Sequence, residues 1–521
     1  MSKPGLFTSQ EGKSLLIPFV LVSSLFLLWG VCNGMIDVMD KHFQKELNLN
    51  LAQSAWVQFA HYLGYFLMAM PAGWLASKLG YKGGIIAGLL MVAVGGFWFI
   101  PATKIATFPA FLLGVCVIAS GLTFLETVAN PYSTVLGPKQ FAATRINLAQ
   151  SCNGIGGIFG PIIGSMFFYG QDAAGHSTGS QTLWIPYAVI GGIVLVLAVV
   201  FFFCKLPDIQ SEDEFHLDDS NKSVAYGPVS HRGTAMTLLW LNLVVLSVAI
   251  GMIFSAIATI PMLKAKLGDV TENQVLFVTS GILAAIATVI LLIKNSKVTN
   301  HSIWSHGHFS GATLTQFFYV AAQCGIFAYF INYMTSQIPA VPDSWKSGSF
   351  DTWFEVHKNG LMGLSDGGAA KLFSFAFFCF LAGRFIGAAL LKTFPAHKIL
   401  SFFGASAGLC SLLILCKLGW VSAGALFLTF FFMSIMFPTI FSLGIHGLGG
   451  RAKKASSFIV MAIMGGAVMP KLMGHLGDVH GMSFAFIVPL ACFVWVACYG
   501  LFWAKLSGHN GVIGVDATKG H

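Results

Sequence analysis

Phe111–Val135 reads FLLGVCVIASGLTFLETVANPYSTV. At about 1.5 Å of rise per residue this stretch is long enough to cross the ~30 Å hydrocarbon core of a bilayer as one helix, and its composition suits lipid. Glu126 sits in its middle. An acidic side chain at mid-helix costs roughly 2.5–3.5 kcal/mol on insertion scales, so a carboxylate retained there points to a proton or substrate path. Asp37 raises the same question at the end of Leu25–Val38, LFLLWGVCNGMIDV.

The rest of the chain is built for the same solvent. Over 521 residues, 56% are hydrophobic and only 9% charged, with a mean hydropathy of +0.76, which indicates an all-α polytopic membrane protein. Apolar windows fall near 15–38, 54–76, 84–102, 108–136, 146–170, 183–204, 236–261, 274–293, 310–335, 369–391, 399–416, 421–446, 455–476 and 482–504. About 14 transmembrane helices are therefore expected. The first run is too long for a cleaved signal peptide and lacks a small-residue cleavage site, so both termini are expected in the cytoplasm. Lys78, Lys82, Lys139, Arg145, Lys205, Arg232, Lys294, Lys392, Lys398, Arg451, Lys453 and Lys454 then all face inward, in keeping with the positive-inside rule. The net charge of +9 reports topology and contact with anionic lipid, and no nucleic-acid partner is expected. The plasma membrane, or the inner membrane of a Gram-negative cell, is the expected location. The ten cysteines lie in or beside apolar runs without paired spacing and read as small buried hydrophobes. There is no P-loop, no metal cluster, no cofactor motif and no nucleophile spaced to a base, which disfavours an ATP-driven pump or a membrane enzyme.

An internal repeat organises the chain. Pro131–Gly137 (PYSTVLG) matches Pro438–Gly444 (PTIFSLG), each ending a span before a basic turn. The following span carries Gly156, Gly157, Pro161 and Gly164 in one half, and Gly465, Gly466, Pro470 and Gly474 in the other. Two homologous six-helix bundles are expected, at 1–205 and 306–521, with a substrate site near mid-membrane between them. Residues 206–305 hold an acidic cytoplasmic linker and two extra helices, which carry few polar groups and should pack at the periphery. The longest external stretch, 336–368, reads as a solvated connector or as a gate over the outer mouth.

Helical spacing gathers polar groups onto faces. Trp29, Asn33 and Asp37 recur every four residues, and an aromatic plate beside an amide and a carboxylate suits a sugar, with its hydroxyls and apolar ring face. Alternatively, Asp37 only caps its helix at the interface. Thr123, Glu126, Thr127 and Asn130 share a second face. Dehydration disfavours a charged carboxyl, so Glu126 is a candidate for proton exchange during turnover, or else a structural carboxyl satisfied by neighbouring helices. Arg145, Asn147, Gln150 and Asn153 recur along a third helix, where amides serve either sugar hydroxyls or helix association. Tyr319, Gln323 and Phe327 form a fourth stripe, with Tyr329 and Asn332 further out, as a cleft wall or an aromatic core face. Arg384, in GRFIG, either pairs with a carboxylate or with backbone carbonyls or, as the favoured expectation, snorkels to the interface from the cytoplasmic end of its helix. The run GGIFGPIIG (156–164) matches a pattern associated with antiport, and its small residues equally permit close helix packing.

The stretches LLWGVCNGMIDV (27–38), PAGWLASKLGYKGG (71–84), GLTFLETVANPYSTVLGP (121–138), RINLAQSCN (145–153), FFYVAAQ (317–323), FMSIMFPTIFSLGIHGLG (432–449) and SSFIVMAIMGG (456–466) resemble the fucose/proton symporter family of the major facilitator superfamily. The resemblance covers both halves, roughly Leu25 to Asp478, outside the insert. It implies a major facilitator fold and cation-coupled sugar uptake by alternating access, with a proton, or alternatively sodium, as coupling ion. The family's two membrane carboxylates fall on Asp37 and Glu126, and its polar sugar positions on Asn33, Gln150 and Asn153. Phe437 stands where the family's aromatic precedes the proline, here without a phenolic hydroxyl. Gly34 replaces a second amide, Ser77 replaces the acidic residue of a cytoplasmic motif, and the inserted helix pair is extra. The reading is a monomeric importer of a hexose or deoxyhexose of the fucose, glucose, galactose or mannose class, with Asn130, Tyr319, Gln323 and Phe437 completing the site. A proton-driven drug or metabolite antiporter and a non-transporting sugar receptor remain alternatives.

Overall fold

Apolar runs bounded by glycine, proline and basic turns set the helices of this chain. The computed structural model describes residues 5–8, 12–46, 56–168, 182–207, 209, 232–258, 270–294, 302–345, 353–356 and 361–508. Most of the acidic linker and part of the 336–368 stretch lie outside the described residues.

The first half contains α1 (Leu16–Glu46), α2 (Trp56–Ile105), α3 (Phe108–Val135), α4 (Ala142–Phe168) and α5 (Trp184–Phe203). Two more helices follow, α6 (Arg232–Ala258) and α7 (Glu272–Lys294). The second half contains α8 (Gly307–Gln337), α9 (Asp366–Thr393), α10 (Ala396–Leu415), α11 (Trp420–Met433), α12 (Met436–Gly444), α13 (Ala452–Met461), α14 (Gly465–His480), α15 (Met482–Ala485) and α16 (Ile487–Ser507). The one sheet among the described residues is a hairpin, β1 (Phe354–Val356) antiparallel to β2 (Met362–Leu364), within the 336–368 stretch.

Among the described residues twelve segments are long and apolar enough to cross a membrane, against the fourteen expected. The windows at 54–76 and 84–102 run together as α2, 50 residues long, which breaks at Gly80 (φ 73°, ψ −178°). Ala142–Phe168 is not among the twelve. Its first half carries Arg145, Asn147, Gln150, Ser151 and Asn153.

Close packing relies on small residues. Gly30 of α1 faces the Asn153 carbonyl of α4, and Gly156 of α4 faces the Leu27 carbonyl and Val31 of α1. Gly160 meets Gly34, so GGIFGPIIG is used in seating α4 on α1. The second half repeats this, with Gly465 against the Phe317 carbonyl of α8. The inserted pair lies outside both halves, as expected. None of the described residues of α7 is buried, and α6 joins α8 through Asn242 Nδ2, which donates to the Ser310 carbonyl at 2.8 Å.

Gly80 occupies a backbone region that is essentially glycine-only, where a side chain adds about 1–3 kcal/mol of strain. Gly80→Ala should lower the melting temperature measured by tryptophan fluorescence in detergent. Gly424→Ala, at a helical glycine whose added Cβ meets nothing within 4 Å, should leave it unchanged or slightly higher.

Candidate functional site

The buried polar groups collect where the two halves meet. Glu126, 3% exposed, projects from the middle of α3 among Tyr65 of α2, Asn130 one turn along and Trp29 of α1, with the Arg384 guanidinium of α9 within Coulombic range. Trp29 Nε1 donates to the Tyr65 hydroxyl, and Asn33 Nδ2 donates to the Trp29 carbonyl at 3.1 Å. An amide relay follows along the α3–α4 seam. Asn153 Nδ2 donates to Gln150 Oε1 at 2.9 Å, and Gln150 Nε2 donates to Asn130 Oδ1 at 3.0 Å. These two bonds join Asn130 of α3 to Gln150 and Asn153 of α4.

Two polar links cross from this relay to the second half. Asn147 Nδ2 donates to Thr439 Oγ1 of α12 at 3.1 Å. Arg384 donates from Nη1 to the backbone carbonyl of Gln150, and from Nε to the Ser434 carbonyl at 3.1 Å, while its guanidinium lies 4.7 Å from the Phe380 ring centre. Arg384 is 3% exposed, so it does not snorkel to an interface as expected. The α9 helix carries it to mid-bundle, where the Ser434 carbonyl at the α11–α12 break and the Gln150 carbonyl of α4 accept its donors.

Two further side-chain contacts join the halves. Tyr62 Oη lies 2.8 Å from Cys324 Sγ. At the face where the basic turns gather, Lys453 Nζ sits 4.2 Å from the Tyr81 ring centre, and Tyr81 packs on Tyr132 with ring centres 4.7 Å apart.

Several buried polar atoms near this seam have no hydrogen-bond partner among the described residues: Glu126 Oε2, Thr127 Oγ1, Asn130 Nδ2, Asn147 Oδ1, both amide atoms of Gln316, and the Tyr319 hydroxyl. Buried donors and acceptors are seldom left unpaired, and such a set is suited to a polyhydroxylated ligand or to water. Tyr319 is fully buried, with its ring edge-on to Phe437 at 6.4 Å, and Gln323 is half-buried one turn further along α8.

Other sequence candidates are placed elsewhere. Arg145 leaves the stripe of Asn147, Gln150 and Asn153. It donates to the carbonyls of Leu6, Ser133, Thr134, Gly137 and Pro138, closing the C-terminal end of α3, where a cation complements the helix dipole. Phe327 stacks on Phe430 at 5.1 Å within an aromatic core with Phe373, Phe377 and Phe380. Tyr329 donates to the Pro470 carbonyl at 3.1 Å, and Asn332 is exposed. Asp37 belongs to α1, and its side chain lies outside the described residues. The sequence reading missed Tyr65, Thr439 and Gln316. Gln316 was within reach of it, one helical turn from Tyr319.

An assembly of apolar membrane-crossing helices with a dehydrated carboxyl and amides gathered where its two parts meet defines a multi-pass membrane transporter. The model of the Major Facilitator Superfamily matches residues 18–330, and the chain belongs to that superfamily, in the family of the L-fucose-proton symporter. The L-fucose-proton symporter of Escherichia coli (strain K12) is 31% identical over 509 residues, covering 94% of each chain. The glucose/galactose transporter of Brucella abortus biovar 1 (strain 9-941) is 27% identical, covering 92% of each. A crystal structure of the superfamily transporter FucP in the outward conformation superposes with a TM-score of 0.66 at 31% identity, covering 94% of this chain and 99% of that one.

Removing an orphaned buried hydroxyl relieves a desolvation penalty of about 1–3 kcal/mol, whereas removing a bonded amide loses about 1 kcal/mol. Tyr319→Phe should therefore hold or raise the melting temperature in detergent, and Asn147→Ala should lower it.

Proposed function

We propose that this chain is a proton-coupled monosaccharide symporter that imports a hexose or deoxyhexose of the fucose, glucose, galactose or mannose class by alternating access. The observation that carries this reading is the dehydrated Glu126 carboxyl one helical turn from an amide relay on the α3–α4 seam. Relatives named as an L-fucose-proton symporter and a glucose/galactose transporter, each matched over nearly the whole chain, support the substrate class.

In this reading the six-helix bundles are 1–205 and 306–521, flanking the linker and helix pair of 206–305. The bilayer is crossed fourteen times, because α2 is long enough to cross once on each side of Gly80 and α4 crosses as well. The basic turns face the cytoplasm, as do both termini. The contact of Lys453 with Tyr81 then belongs to a conformation shut on the cytoplasmic side. The chain works as a monomer in the plasma membrane.

Each proposed role follows from chemistry. Asn33, Asn130, Gln150, Asn153 and Gln323 offer paired donors and acceptors to sugar hydroxyls, and the orphaned atoms of Asn130 and Tyr319 gain partners when sugar arrives. Phe437 presents a ring face to the apolar side of the pyranose, with no hydroxyl of its own. Glu126 carries the exchanging proton. Asp37 links protonation to sugar capture from the adjacent helix. A site built on hydroxyl contacts discriminates strongly against a sugar lacking one, since its own buried groups are then unpaired. Antiport loses its sequence support, because GGIFGPIIG is spent on packing α4 against α1.

Proteoliposomes with an inward proton gradient should accumulate one of labelled L-fucose, D-glucose, D-galactose or D-mannose, and an uncoupler should stop this. Accumulation that follows a sodium gradient instead would replace the proton. Binding without accumulation would make the chain a receptor, and efflux of cationic dye an antiporter. Glu126→Gln should lower gradient-driven accumulation at least ten-fold while sugar counterflow persists, and unchanged accumulation would remove Glu126 from the mechanism.

A further inference from the structure

Arg384 is the one described guanidinium at the seam, and it does not ion-pair with Glu126: among the described residues the salt bridge is a surface contact of Lys471 with Glu272 at 3.7 Å. Its charge is instead spread over two carbonyls and a ring. The Nε bond to the Ser434 carbonyl stays within the second half, whereas the Nη1 bond to the Gln150 carbonyl joins α9 to α4 across the halves. Gln150 is also the hub of the amide relay, bonded to Asn130 and Asn153. One side chain thus touches the backbone of the relay, the break between α11 and α12, and the field at Glu126.

We propose that Arg384 is a positioning residue that couples the arrangement of the two halves to the proton on Glu126, a step that rests on the symport reading above. While the halves are locked as they are here, the Gln150 and Ser434 carbonyls hold the guanidinium off the carboxyl, and Glu126 keeps its proton. When one half rocks on the other, the bond to the Gln150 carbonyl is the one that must change, because its two ends lie on different halves. The freed donors then turn to the Glu126 carboxyl, a guanidinium against a carboxyl favours its ionised form, and the proton leaves to the open side. Proton release is thereby tied to rearrangement and not to time spent closed.

The ionisable groups facing Glu126 from the packed helices are, among the described residues, Tyr65 of α2 and Arg384 itself, and α1 also carries Asp37. Tyr319 of α8 and Cys152 of α4 face Arg384. Neither a tyrosine nor a cysteine beside it supplies a permanent negative charge. Arginine fits the role better than lysine, since its forked donors bind two carbonyls at once and carry charge into a dry site.

The test uses whichever of the four labelled sugars the unaltered chain accumulates; if it accumulates none, the symport reading fails first and separately. Arg384→Gln should cut proton-driven accumulation at least ten-fold while counterflow continues, and the pH at which counterflow is half-maximal should shift by at least half a unit. Arg384→Lys should restore part of the accumulation. Against a Glu126→Gln background, Arg384→Gln should change counterflow less than two-fold, because its target is already neutral. An Arg384→Gln variant with normal accumulation and an unmoved pH profile overturns the proposal. So does a double variant whose counterflow collapses, which would mean that Arg384 only holds the fold together.

Discussion

The constraint on which everything else depends is the dehydration of Glu126. A carboxyl that is 3% exposed inside an apolar assembly has no water to bond and must be met by side chains arranged around it. That requirement explains why amides, a tyrosine and an indole converge on one level of the structure, while elsewhere the helices are filled by aliphatic, aromatic and small residues. It also explains why the polar groups sit on the seam: only there can a buried site gain access to solution by moving one packed unit against another without opening a core.

The positions of Glu126, Asn130, Gln150 and Asn153 were legible because helical spacing assigns residues to a face, and a polar face in an apolar helix has little choice but to turn inward. Spacing says nothing of which neighbour that face meets. Arg145 shares the stripe of Asn147 and Gln150, but its long side chain swings to the five carbonyls around the end of α3, a destination set by the turn at Gly137 and invisible in the α4 sequence. Arg384 was misplaced for a related reason. Its depth depends on how α9 leans against α4 and α11, and an apolar window with one cation reads the same whether the cation is at its end or its middle. Phe327 belongs to a cluster of phenylalanines drawn from three helices, and in a chain with 48 of them a four-residue spacing cannot distinguish core from cleft.

The internal repeat was more informative than any single motif. Matching glycines in the two halves do matching work, Gly156 against α1 and Gly465 against α8, so each half brings two backbones into contact at the same relative place. Close backbone contact is a stiff interaction: it tolerates no added carbon and little sliding. Motion is therefore directed away from the α1–α4 and α8–α14 seams within each half and towards the contacts between the halves.

The closure of the basic face fits that division. Ser77, which replaces the acidic residue of the family's motif, donates to the Trp74 carbonyl of its own helix at 2.7 Å, and among the described residues no bond from it to a cation across the seam is found. The contact across this face is made by Lys453 over the Tyr81 ring, with Tyr81 backed by Tyr132, whose hydroxyl donates to the Pro207 carbonyl at 2.9 Å. A cation over an aromatic ring contributes about 0.5–2 kcal/mol depending on its exposure, and a buried ion pair broken on one side costs several. A latch of the weaker kind holds a face shut without storing a large penalty against its opening. In the proposed symport, a latch of this kind keeps the free-energy difference between the two arrangements within reach of a single proton on Glu126.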